Sequence, residues 1–170
     1  MFTRRHFAAI GFGGAIAAWF ASRPGKVEAR GPFPLEKSEA EWRKILSKKE
    51  FYILREHGTE RPFTSPLDKI YDPGIYHCAG CDTALFSSEH KFDSRTGWPS
   101  FYKPLPNAIG ESTDYLIGYA RTEVHCANCG GHQGHVFKDG PKPTGLRYCI
   151  NGVALTFKPA SGAGKTASKS

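Results

Sequence analysis

Two cysteine pairs with the same internal spacing constrain this chain more than anything else in it. Cys78-Ala-Gly-Cys81 and Cys126-Ala-Asn-Cys129 are C-x-x-C turns separated by 44 residues, each with a glycine inside it or just after it that lets backbone amides turn toward sulfur. Four thiolates can close a tetrahedral shell around zinc, and a closed shell leaves no position for water, so such a metal is structural rather than catalytic. Two other fates suit the same residues. In an oxidising compartment the four thiols can pair as disulfides, and four sulfurs can also hold iron for electron transfer.

Composition sets the class of fold around these turns. The 170 residues suffice for one domain with extensions. With 19 glycines, 12 prolines, 13% aromatics and a single methionine, the composition excludes a helical bundle and a disordered chain and favours a loop-rich β domain. Most of the net charge of +7 sits at the two ends, because residues 30–160 hold 17 Lys and Arg against 15 Asp and Glu. No basic stripe with interleaved aromatics runs through the body, so nucleic acid is not an expected partner.

The first 29 residues read as an export signal. Paired arginines in Thr3-Arg4-Arg5-His6-Phe7 precede an apolar run from Phe7 to Ala21, and Val27-Glu28-Ala29 supplies small residues before a cut. The run is too short and too glycine-rich for a bilayer span, and the adjacent arginines resemble a twin-arginine address. Cleavage after Ala29 leaves a periplasmic domain, 30–160, with no stable membrane association, followed by a disordered tail of small and polar residues, 161–170. A twin-arginine substrate is expected to cross folded, so zinc bound in the reducing cytoplasm would protect the four thiols outside.

Ser38-Glu39-Ala40-Glu41 is a capping box. It predicts a helix from Glu39 to Lys49 with Trp42, Ile45 and Leu46 on one face. A second short helix is expected from Phe51 to Glu56, ending near Gly58. From Arg61 onward, apolar-alternating runs at Gly74–His77, Asp114–Arg121 and Gly152–Lys158 are cut by glycine and proline, which reads as antiparallel β with long connections.

Cys149 is left over. It follows Arg147 by two residues, and His132 and His135 lie upstream. Basic neighbours depress a thiol pKa and only the thiolate attacks, so Cys149 is a candidate nucleophile. A buried inert cysteine, behaving as a small hydrophobe, is the competing reading.

Gly134-His135-Val136-Phe137-Lys138-Asp139-Gly140-Pro141, Pro143-Thr144-Gly145, Arg147-Tyr148-Cys149-Ile150-Asn151, Gly97-Trp98-Pro99-Ser100-Phe101 and both C-x-x-C pairs, all in order, resemble the methionine-R-sulfoxide reductase family over Ser38 to Lys158. The resemblance implies a mainly β fold: two antiparallel sheets with a short N-terminal helical segment and a structural zinc site of Cys78, Cys81, Cys126 and Cys129. It also implies chemistry. A sulfoxide sulfur is electrophilic, but its oxygen leaves only once protonated, so a thiolate and an acid must be poised together. Cys149 would attack sulfur, with His132, His135 and Asn151 orienting and protonating the oxygen. The face of Trp98 would receive the substrate methyl, with Phe137 beside it and Arg147 supporting the thiolate. Methionine leaves and Cys149 becomes a sulfenic acid. The substrate is methionine-R-sulfoxide, free or in peptides, and a monomer is expected.

Three departures from the family pattern stand out. Many members resolve the sulfenic acid with a cysteine just before Gly-Trp-Pro-Ser-Phe, where this chain has Arg95-Thr96, so an external thiol, thioredoxin-like or small, is expected to regenerate Cys149. Gly152 stands where serine is usual, and Gln133 where an aliphatic residue is common. Outside this resemblance, a non-catalytic zinc-knuckle binding module remains an alternative. So does an electron carrier, since Cys126-Ala-Asn-Cys129-Gly130 resembles a rubredoxin knuckle.

Overall fold

The computed structural model describes residues 32–115 and 117–160. The expected signal segment 1–29 and tail 161–170 lie outside the described residues.

Regular structure begins with two short helices, each started by the same device. Helix α1 spans Glu39–Ile45, with the Ser38 hydroxyl accepting from the Glu41 amide while the Glu41 carboxylate accepts from the Ser38 amide. Helix α2 spans Lys48–Glu56 and repeats the reciprocal pair with Ser47 and Glu50. The expected continuous helix to Lys49 is therefore broken. Leu46 takes an extended conformation with φ −99° and ψ 140°, and Ser47-Lys48-Lys49-Glu50 restarts the helix three residues before the expected Phe51. The break also splits the predicted face: Trp42 and Leu46 are buried, whereas Ile45 is 57% exposed. His57 closes α2 in the left-handed region, one residue before Gly58.

Among the described residues nine strands follow, all pairing antiparallel, in two sheets as expected. Strands β1 (Gly74–Cys78), β2 (Ala84–Ser87) and β9 (Leu155–Pro159) form a small sheet in the order β2-β1-β9. Strands β3 (Lys91–Phe92), β4 (Ser100–Phe101), β5 (Ile109–Asp114), β6 (Arg121–Cys126), β7 (His132–Phe137) and β8 (Arg147–Ile150) form the larger one, ordered β3-β4-β8-β7-β6-β5. Aromatic rings lock one sheet on the other. Phe86 of β2 stacks on Phe101 of β4 with centroids 4.4 Å apart, and Tyr76 of β1 meets the same ring edge-on at 5.0 Å. All three are fully buried, and truncating such a ring to alanine costs about 3–5 kcal/mol.

One expected strand is something else and another starts late. Asp114–Arg121 is the turn between β5 and β6, and its end residues pair with each other across the hairpin and through an ion pair. Gly118, at φ +88°, lets the chain reverse there. At the other place, Gly152–Ala154 is a single 3-10 turn, so the strand starts only at Leu155. The cause is Glu60, whose carboxylate accepts from the amides of both Gly152 and Val153 and caps the turn.

Candidate active site

The two C-x-x-C turns meet at one edge of the molecule because the strands before them end there. Cys78 closes β1 and Cys126 closes β6, and the turns that follow deliver Cys81 and Cys129. All four sulfurs lie within 4.8 Å of one another. Cys78 and Cys129 sulfurs are 3.8 Å apart and those of Cys81 and Cys126 3.5 Å apart, far beyond the ~2.05 Å of a disulfide. The thiols are thus unbridged, and the disulfide alternative falls. A tetrahedral zinc with ~2.3 Å bonds to sulfur separates its ligands by about 3.8 Å, close to both of these separations, so the cluster can hold a metal ion.

The second feature is a row of polar side chains running across five strands. In register, Ser100 of β4 faces Cys149 of β8, which faces His135 of β7, which faces Glu123 of β6, which faces Ser112 of β5. Directly opposed residues point to the same side of a sheet, so these five share a face. Gly134 makes the central contact possible, since a Cβ there would come within 2.1 Å of the Cys149 carbonyl oxygen. The next row on the same face holds Arg147 opposite Phe137, and Asp114 opposite Arg121.

Cys149 is half-buried, and the Thr96 hydroxyl lies 3.9 Å from its sulfur. Burial pushes its thiol pKa up, and the opposing pull of Arg147, Thr96 and Ser100 does not overcome it. This corrects the expectation of a thiol lowered by cationic neighbours. Arg147 is shared between this thiol and other partners: two hydrogen bonds of 2.9 and 2.8 Å tie it to Asp139, and its guanidinium lies 4.4 Å over the Phe137 ring.

Both histidines are buried, and each is held by a carboxylate. His135 Nε2 is 2.6 Å from Asp114 Oδ2, and burial lowers its pKa despite that partner. His132 Nδ1 is 2.6 Å from Glu123 Oε1, and its Nε2 has no partner among the described residues. The two rings lie 5.4 Å apart. Glu123, 1% exposed, also takes His57 Nδ1 at 2.9 Å on the same oxygen and the Ser112 hydroxyl at 2.7 Å on the other. Burial raises its pKa, but His132, His57 and Ser112 together outweigh that and hold it well below the usual carboxylate range.

The remaining expected residues frame this row. Asn151 is buried and engaged with backbone: its Oδ1 accepts from the Glu60 amide at 3.0 Å and its Nδ2 donates to the Gln133 carbonyl at 3.1 Å. It braces the segments flanking the row. Trp98 is half-buried and its indole N–H donates to the Glu60 carbonyl at 3.2 Å, which fixes the ring in the approach to β4. Gly152 has no room for a side chain, since a Cβ there would lie 1.8 Å from Ser65 Oγ.

Glu123, Asp114, His57, Ser112 and Ser100 are site residues that the sequence reading misses. The alternation of Arg121-Thr122-Glu123-Val124 is the only local signal for Glu123, and it becomes a signal only once the register shows which face is inward.

A family model described as the SelR domain matches residues 46–159. A protein of Agrobacterium fabrum named "Peptide methionine sulfoxide reductase MsrB" is 56% identical over 126 residues, covering 74% of this chain and 93% of its own. A protein of the same name from Pseudomonas syringae is 54% identical over 128 residues, covering 75% of this chain and 98% of its own. A third, from Methanosarcina barkeri, is 51% identical over 127 residues, covering 73% and 88%.

Proposed function

The chain belongs to the SelR-domain family of methionine sulfoxide reductases, and on that premise we propose that Cys149 reduces the R epimer of methionine sulfoxide. The observation that carries the reading is the cross-strand row, which sets one thiol opposite a carboxylate-held imidazole on a common face.

The step balances without an outside oxidant. The Cys149 sulfur bonds to the sulfoxide sulfur, and the protonated oxygen then passes to Cys149, so that the substrate sulfur–oxygen bond and the transient sulfur–sulfur bond break, a sulfur–oxygen bond forms on Cys149, methionine departs and Cys149 is left as a sulfenic acid. The proton released from the thiol equals the one gained by the oxygen, so the imidazoles relay rather than supply it. Burial works against ionisation of the Cys149 thiol, so a neighbouring base that receives its proton favours the nucleophile. His132 has an unpartnered ring nitrogen for that exchange, and His135 is held opposite Cys149. Trp98 and Phe137 offer apolar surface to the methyl group.

Regeneration takes two electrons from an external thiol, thioredoxin-like or small, with water leaving. The chain has five cysteines, and the other four form the metal edge. Thr96 touches Cys149 where a resolving sulfur would sit. Zinc is the ion proposed for that edge, held by Cys78, Cys81, Cys126 and Cys129 as a structural ion that ties β1 to β6. The proposal extends to twin-arginine export, cleavage after Ala29 and repair of oxidised methionine in the periplasm by a monomer, on the strength of residues 3–29 and the charge balance of 30–160.

Purified protein with a dithiol is expected to consume only the R epimer. Equal consumption of both epimers sinks the proposal. Under stoichiometric substrate without reductant, mass spectrometry is expected to show one added oxygen on Cys149. Thr96→Cys should convert that product into a disulfide between the introduced thiol and Cys149, a loss of two hydrogens instead of a gain of oxygen.

A further inference from the structure

Gln133 lies between the metal edge and the reactive row and belongs to neither set of expected ligands. Its side chain is fully buried. Both amide protons have acceptors: Nε2 is 3.4 Å from Cys78 Sγ and 3.2 Å from the Gly131 carbonyl oxygen. That carbonyl also accepts from the Cys126 amide at 2.9 Å. One primary amide thus joins the first cysteine turn to the second. The other end of the amide is unsatisfied, since Oε1 is buried without a partner among the described residues, a situation that destabilises the folded state.

Oε1 cannot be what selects glutamine here, because it makes no hydrogen bond among the described residues. An aliphatic side chain would fill the space without the penalty, so the N–H groups must carry the benefit. Four thiolates around a divalent ion form a dianion in a dry interior, and a hydrogen bond donated to sulfur disperses that charge and fixes the ligand. Thr83 stands in the same relation to Cys81, with its hydroxyl 3.2 Å from the sulfur.

We propose that Gln133 is an outer hydrogen-bond donor to the metal site, retaining the ion by bonding Cys78 while bracing the turn that carries Cys126 and Cys129. The inference rests on the reading of the four cysteines as a zinc site.

The test uses the zinc-loaded protein and its Gln133→Leu and Gln133→Met variants. Zinc release into excess chromogenic chelator is followed alongside the melting temperature before chelation. Both variants are expected to release zinc about tenfold faster, with melting temperatures equal to or above the parent's because the unpaired carbonyl is gone. Release at the parent rate in either variant overturns the proposal; methionine matches glutamine in length, so a packing role alone would leave its rate unchanged. Faster release accompanied by a lower melting temperature also overturns it, since loosened folding then explains the loss. A parent that carries no zinc overturns the metal reading itself, and this inference with it.

Discussion

Cysteines of the metal edge and the lone cysteine of the reactive row both sit on or beside strands, yet their surroundings give them opposite fates. At the edge, Cys78, Cys81, Cys126 and Cys129 have one another within 4.8 Å, and the side chains bonded to sulfur besides other sulfurs include the Gln133 amide and the Thr83 hydroxyl. In the row, Cys149 has hydroxyls and an imidazole for neighbours rather than sulfurs. A thiol closed among thiols saturates a metal and becomes inert. A thiol alone among proton carriers is left with unsatisfied reactivity. The difference is one of company rather than of depth alone, since Cys81 at the edge is half-buried just as Cys149 is.

The comparison can be broken most severely at its two kinds of sulfur. Replacing Cys149 with serine is expected to reduce turnover more than about 1,000-fold while the protein keeps one zinc per chain by metal analysis. Retained activity would mean the row is not the reactive region. Stripping the metal is expected to do the reverse. Because structural zinc contributes about 10–16 kcal/mol in small domains, chelation at moderate temperature should abolish the cooperative melting transition rather than slow turnover alone. A stripped protein that still melts cooperatively would reduce the edge to decoration.

A gentler probe addresses what holds the row. Glu123→Gln keeps the shape but removes the charge under His132 and His57, and kcat is expected to fall about 10–100-fold with little change in KM, part of the ~10²–10⁴ that a positioned proton carrier contributes. The same change should alter the acid limb of stability. The folded pKa of Glu123 lies below its unfolded value, so its stabilisation is present above the unfolded pKa, near 4.5, and is lost as pH falls toward the folded one. Melting temperature of the parent should therefore drop more steeply below pH ~4.5 than that of the variant. Parallel curves would contradict the charge argument.

Gly152 offers the smallest effect. A Cβ there meets Ser65 Oγ, so Gly152→Ala is expected to cost about 1–3 kcal/mol and Ser65→Gly to restore most of it. No loss in the single variant would show that the segment capped by Glu60 yields freely.

Much of this molecule is written locally. The spacing of the cysteine turns, the Ser38 capping box, the strand at Gly74 and the histidines before Cys149 are all read within a few residues, because turns, caps and alternation are short-range devices. A second capping box at Ser47 is equally local, but helical periodicity runs through it and hides the break. What only the tertiary structure decided is pairing. Which residues stand opposite Cys149, which carboxylate each histidine meets, and that Asn151 ties the Glu60 and Gln133 backbones together all follow from pairing between segments far apart in sequence. A slip of one residue would send every one of those side chains to the other face. No run of letters records that choice, because it is made by the whole core at once, through Phe86, Phe101 and Tyr76 locking two sheets at one setting.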